Sequence, residues 1–161
     1  MKERWENEIK VVPLSALVMS IPINIEKLLG GNTVENNRIE LKGGWNPDSI
    51  YRTICAFAND FEDNGSGYII VGVDENNGRP VRPVRGVPIE TIDRIEKEMV
   101  GFNNLFEPFY MPRVSVEDID GKKVIVIWAL AGDRRPYKIP ENVTAKHKTP
   151  KYFIRYNSST I

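Results

Sequence analysis

Two hydrophobic periods alternate along the chain. From Arg38 to Lys42 the order is Arg-Ile-Glu-Leu-Lys, which predicts a strand with Ile39 and Leu41 on one face. Glu40 shares the other face with Arg38 and Lys42, and that face is expected to point away from the core. Beyond Trp45 the period lengthens: Ile50, Ile54, Phe57, Ala58 and Phe61 recur at helical spacing. Asn46 is a good N-cap for this helix, Pro47 suits its first position, and Asp48 suits the positive end of the helix dipole. After the loop Glu-Asp-Asn-Gly-Ser-Gly, the run Tyr68–Val73 is apolar and rich in β-branched residues, as in a buried central strand. Gly72 inside that run signals a bulge or a close backbone approach.

The remaining elements follow from the same signals. A short helix is predicted from Asn24 to Leu29, ended by Gly30 and Gly31. Asn77-Gly78 is a turn signal, and Val81–Val87 reads as a strand weakened by Pro83. Pro88–Val100 has Ile89, Ile92, Ile95, Glu96 and Met99 near helical spacing. Arg113–Ile119 and Lys122–Leu130 alternate around Asp120-Gly121, a hairpin signature. Tyr152–Tyr156 is expected to be a last short strand. Strands interrupted by two main helices imply an α+β fold with a mixed, mainly antiparallel sheet. Residues 1–24 read as an N-terminal extension and residues 25–161 as one domain.

Composition narrows the classes. The 161 residues suit a single domain with a sizeable core. No stretch approaches 18 consecutive apolar residues, so no membrane helix is expected. The apolar run Leu14–Ile23 is broken by proline and lacks a clean cleavage site, so it reads as structure rather than as a signal peptide. The single cysteine, Cys55, suits a reducing compartment, with the cytoplasm as the expected location. Net charge is zero, which makes no global case for nucleic acid. The charge is uneven, however: Arg134–Arg155 holds seven basic residues and one acid, Glu141, for a balance of +6. Such a segment makes either a local positive face or only a solvated loop.

Several chemistries lose support at once. The lone histidine, His147, sits in a basic loop, and no Gly-x-Ser-x-Gly elbow accompanies it. No Cys/His cluster suggests zinc. The glycines of Asn-Gly-Ser-Gly precede a strand instead of a helix, and no Gly-Lys-Ser/Thr follows, so neither a phosphate loop nor a dinucleotide fingerprint is present. Three acids remain: Glu35, Glu40 and Asp74. If their strands are neighbours, the carboxylates converge and could hold magnesium or manganese, hard cations that prefer oxygen. The competing reading is that acids at strand ends are merely solvated.

Five stretches, in this order, carry a family resemblance: ENNRIELK (Glu35–Lys42), ICAFAND (Ile54–Asp60), GYIIVGVDE (Gly67–Glu75), RRPYK (Arg134–Lys138) and YFIRYNSST (Tyr152–Thr160). Over residues 25–161 the chain resembles the AlbA-like domain of the Schlafen type, found in prokaryotic transcriptional regulators. The resemblance implies a nucleic-acid-binding α+β domain, with DNA as the partner. It also implies that such regulators continue into further C-terminal domains, so this chain would be part of a longer protein. In Schlafen nucleases the matching acids cut RNA, and they fall here on Glu35, Glu40 and Asp74. Mg²⁺ or Mn²⁺ enters only under that nuclease alternative; no other cofactor is implied. Two departures affect the site: the loop before Gly67 is lengthened, and Gly43-Gly44-Trp45 follows Lys42.

The residues expected to touch nucleic acid are Lys42, Arg134, Arg135, Lys138, Lys151 and Arg155, which would neutralise phosphates. Tyr137 and Tyr152, lying among them, would stack on bases or else pack in the sheet. A third reading is a protein-interaction or homodimerisation domain, for which zero net charge is the best support. No membrane partner is expected.

Overall fold

The computed structural model describes Ile21, residues 23–30 and residues 37–161. In chain order the elements are α1 (Ile25–Leu29), β1 (Ile39–Lys42), α2 (Pro47–Asn59), β2 (Gly67–Val71), β3 (Glu75–Asn76), β4 (Arg79–Pro80), α3 (Ile89–Asn103), β5 (Arg113–Ile119) and β6 (Lys122–Ala129). The chain then folds into two small ribbons: β7 (Lys138–Pro140) with β8 (Pro150–Tyr152), and β9 (Arg155–Tyr156) with β10 (Ser159–Thr160). The main sheet has the order β1-β2-β6-β5. Only the β1–β2 pairing is parallel; β2–β6 and β5–β6 are antiparallel. The fold is α+β, as the pattern predicted.

The local signals act as expected. Asn46 caps α2 by accepting from the Ser49 N–H at 3.3 Å, and Asn24 caps α1 by accepting from Lys27 N–H at 2.8 Å. Asn77-Gly78 and Asp120-Gly121 both turn with positive φ at each residue, the backbone that two-residue hairpins require. Gly72 has φ +105°, and a Cβ there would lie 3.0 Å from the Gly86 backbone carbon, so the close approach is real.

Packing corrects one expectation about the sheet. Both of its faces are covered, which explains why β2 and β6 read as continuous apolar runs. On one face Ile69, Val71, Ile125 and Ile127 pack against α2 through Ile50, Ile54 and Phe57. On the other, Leu41, Ile70, Val124 and Val126 pack with Ile25 and Leu29 of α1. Glu40 shares a face with Lys42, as alternation requires, but that face is the α2 side rather than solvent. Glu40 is only 8% exposed.

Three other expectations change. Phe61 is 70% exposed instead of packed, because α2 ends at Asn59 and Asp60 turns left-handed with φ 41°. Val81–Val87 is not a strand. The Val84 N–H donates to the Asp120 carboxylate at 2.9 Å, and Gly86 turns with φ +73°, so the segment is spent on loop contacts. Tyr152–Tyr156 is not one strand but the last residue of β8 and the whole of β9, separated around the buried Phe153.

Helix α2 is buried almost all round. Helix α3 covers part of it: the Tyr51 hydroxyl donates to the Asn103 side chain at 2.8 Å and lies 3.1 Å from the Met99 carbonyl. The two C-terminal ribbons cover another part, and Asn59 fastens them. Its amide donates to the Tyr137 carbonyl at 2.9 Å and the Phe153 carbonyl at 2.8 Å, and it accepts from the Tyr137 N–H at 2.6 Å. Asn59 is therefore a clamp between α2 and the C-terminal segment.

Candidate functional site

The clamp sets the C-terminal ribbon β9–β10 beside the free edge of β1. There Arg155 meets Glu40 at 2.6 Å, with both side chains nearly buried. Lys42, two residues along the same face of β1, reaches the other Glu40 oxygen at 2.7 Å. Arg155 also donates to the Thr160 hydroxyl at 3.2 Å, and its guanidinium lies 5.3 Å from the centre of the Phe57 ring. Thr160 in turn hydrogen-bonds Thr53 of α2 at 3.1 Å. These contacts build an open depression of about 290 Å³.

The lining of the depression decides what it can hold. Lys42, Arg52 and Arg155 are its cations, and Glu40 is its sole carboxylate; Ser49, Thr53, Ser158, Ser159 and Thr160 supply hydroxyls. Arg52 is anchored by the Glu141 carbonyl at 2.7 Å and the Asn142 side-chain oxygen at 3.2 Å, both uncharged acceptors. The local balance is therefore positive, and residues that carry hydrogen-bond donors line a concave surface. Phosphate oxygens match such a site by charge and by hydrogen bonding.

Of the expected site residues, the fold gathers Glu40, Lys42 and Arg155. Asp74 does not line this depression: it receives both Nε and Nη2 of Arg85 at 2.9 Å, beside Gly43. Glu35 lies outside the described residues. Among the described residues no three His, Cys, Asp or Glu side chains group as a metal site. The other expected cations are spread over the neighbouring surface. Lys138 pairs with Glu107 at 3.0 Å and Lys151 with Glu141 at 2.7 Å, while Arg135 lies 3.8 Å from the Asp60 carboxylate. Arg134 is exposed. The hydrogen bond from Lys138 holds its proton more tightly, and the one from Lys151 keeps Glu141 below the usual carboxylate range.

The two tyrosines separate cleanly. Tyr137 is a core residue, edge-on to Tyr110 at 5.3 Å, so it has no face for a base. Tyr152 is exposed. Arg52 was not singled out from the sequence. It falls on the polar side of an ordinary helix pattern, and only the return of the chain at Glu141–Asn142 orients it.

The family model described as Schlafen, AlbA_2 matches residues 35–161. The chain belongs to this Schlafen AlbA_2 family. Two solved structures share the fold of this family member. One is the N-terminal domain of a protein from Nitrosomonas europaea related to the ATP-dependent DNA helicase RecG. It is 23% identical with a TM-score of 0.57, over 83% of this chain and 88% of that one. The other is the DIP2311 protein from Corynebacterium diphtheriae, 16% identical with a TM-score of 0.54, over 85% of this chain and 29% of that one. No curated protein matches the chain. Among the described residues of this Schlafen AlbA_2 domain, no helix is long and apolar enough to cross a membrane.

Proposed function

We propose that this domain binds nucleic acid, DNA in particular, as the recognition module of a transcriptional regulator, and that the Lys42–Arg52–Arg155 depression seats backbone phosphate. The observation that carries the reading is the lining: three cations and five hydroxyls around one carboxylate. The family supports it, and so does the likeness in fold to the N-terminal domain of a DNA-helicase-related protein. Arg134, Arg135, Lys138 and Lys151, on the C-terminal segment, would add sequence-independent affinity where phosphate displaces the carboxylates beside Arg135, Lys138 and Lys151.

The metal-dependent nuclease reading is weaker on this geometry. Both Glu40 oxygens are engaged by cationic side chains, and so are both oxygens of Asp74. A magnesium ion would have to displace Lys42, Arg85 and Arg155 together.

The test is a mobility-shift titration over a salt series. Binding is expected to weaken as salt rises, and Arg52→Ala is expected to flatten the slope of log K against log salt by roughly 0.7–0.9, the loss of one phosphate contact. Absence of binding at low salt refutes the reading and leaves a protein-interaction domain in its place.

A further inference from the structure

A second concavity opens at the chain segment that follows Lys42. It is an open groove of about 270 Å³, lined in part by Gly43, Gly44, Trp45, Arg85, Pro88 and Arg94. The segment Lys42–Trp45 joins the two, since Lys42 lines the depression and Gly43 begins the groove. The backbone of Trp45 is thus at most about 11 Å from that of Lys42.

The charges of the groove differ from those of the depression. Arg85 is held by both oxygens of Asp74, and Arg94 by Glu98 at 2.7 Å. Each guanidinium thus carries its own counter-charge, so the groove offers planar donors and apolar surface without a strong net field. Trp45 is fixed in place: its Nε1–H donates to Glu98 at 2.9 Å, and the indole packs partly on the core around α2. The same hydrogen bond is the main reason the Glu98 carboxyl lies below its usual range. Arg94 and Trp45 share that carboxylate, which holds a cation beside a rigid aromatic ring. Nothing lies within 4 Å of the Cβ position of Gly44, so the groove is open at that residue.

Resting on the nucleic-acid reading above, we propose that this groove takes one unstacked base of a single-stranded polynucleotide, with Trp45 as its stacking platform, while the adjoining phosphate sits in the Arg155 depression. A paired base in a duplex has no free face to offer a recessed indole, so the site selects single strands or unpaired ends. Stacking accepts any base, so little sequence preference is expected from this groove.

Fluorescence anisotropy with labelled oligonucleotides of about 12 nucleotides tests the proposal. The probes are oligo-dT, oligo-U and a duplex of matched length; the first two distinguish a DNA strand from an RNA strand. The single strands are expected to bind at least about tenfold tighter than the duplex, and Trp45→Leu to lose about tenfold on the single strands alone. The parent is expected to show a quench of tryptophan emission on binding, and Trp45→Phe to keep most of the affinity but lose that quench. Thermal melts of both variants show that the fold is retained. Equal affinity for duplex and single strand, or single-strand affinity unchanged in a folded Trp45→Leu, overturns the groove proposal while leaving the phosphate site standing. No binding to any of the three probes overturns the reading on which it rests.

Discussion

Glu40→Ala is the most informative single substitution in this domain. The side chain joins Arg155 at 2.6 Å and Lys42 at 2.7 Å in a site where Arg155 is 6% exposed. At that separation, screened as charges at a protein surface are, the Glu40–Arg155 attraction is worth about 6 kcal/mol, most of it offset by the cost of removing both charges from water. The substitution forfeits the attraction but keeps Arg155 buried, which gives a loss of about 3–5 kcal/mol. For a domain of this size each kcal/mol lowers the midpoint by roughly 2–4 °C, so a fall of at least about 6 °C is expected in a thermal melt. The double variant Glu40→Ala/Arg155→Met removes both charges, and it should recover much of the loss. If Glu40→Ala melts within about 2 °C of the parent, or if the double variant is additive, Glu40 is not the counter-ion that holds the C-terminal ribbon.

Two further outcomes follow from buried groups. Asn59→Asp keeps an acceptor for the Tyr137 N–H but loses both amide donors to the Tyr137 and Phe153 carbonyls, so urea denaturation should show a loss of roughly 2–3 kcal/mol or more; an unchanged midpoint would refute the clamp. Burial pushes the Cys55 thiol up to about 12 from 9.0. Its contribution to stability is therefore intact below about pH 9 and declines as pH rises towards 12, because the unfolded chain releases the proton first. At pH 8 the folded protein should resist a thiol reagent and the urea-unfolded chain should react fully; rapid labelling of the folded state would contradict the burial.

Much of the fold was legible because its signals are local. Asn46-Pro47, Asn77-Gly78 and Asp120-Gly121 each dictate their own backbone, and tertiary packing leaves them alone. The exposed-face assignment of Glu40 failed for a different reason. Alternation shows that two faces differ, not that one is wet, and a charged residue in an edge strand is read as solvated until its partner is known. Arg155 lies 115 residues away, and no period in the sequence connects them. Arg52 escaped notice because an arginine on a helix resembles any solvated surface charge. The clamp role of Asn59 was hidden for a related reason: its partners lie 78 and 94 residues further on, and a helix-terminal asparagine suggests a local role. Phe61 shows the opposite error. The helical spacing continued past the point where Asp60 accepts from the Asn64 and Gly65 N–H groups and closes the loop instead.

The joining of Glu40 to Arg155 has a consequence for the order in which the depression is assembled. The sheet strands and α2 are complete well before the ribbon that supplies Arg155, Ser158, Ser159 and Thr160 is synthesised. Until the C-terminal segment packs, Glu40 lacks its guanidinium, Asn59 lacks its two carbonyls, and the core lacks Tyr137, Ile139, Val143 and Phe153. Contacts of such long sequence separation also form slowly, because the closure entropy is met only at the end. Completion of the depression is thus a late step, and a ribbon that peels away would undo it while much of the hydrophobic interior stayed packed.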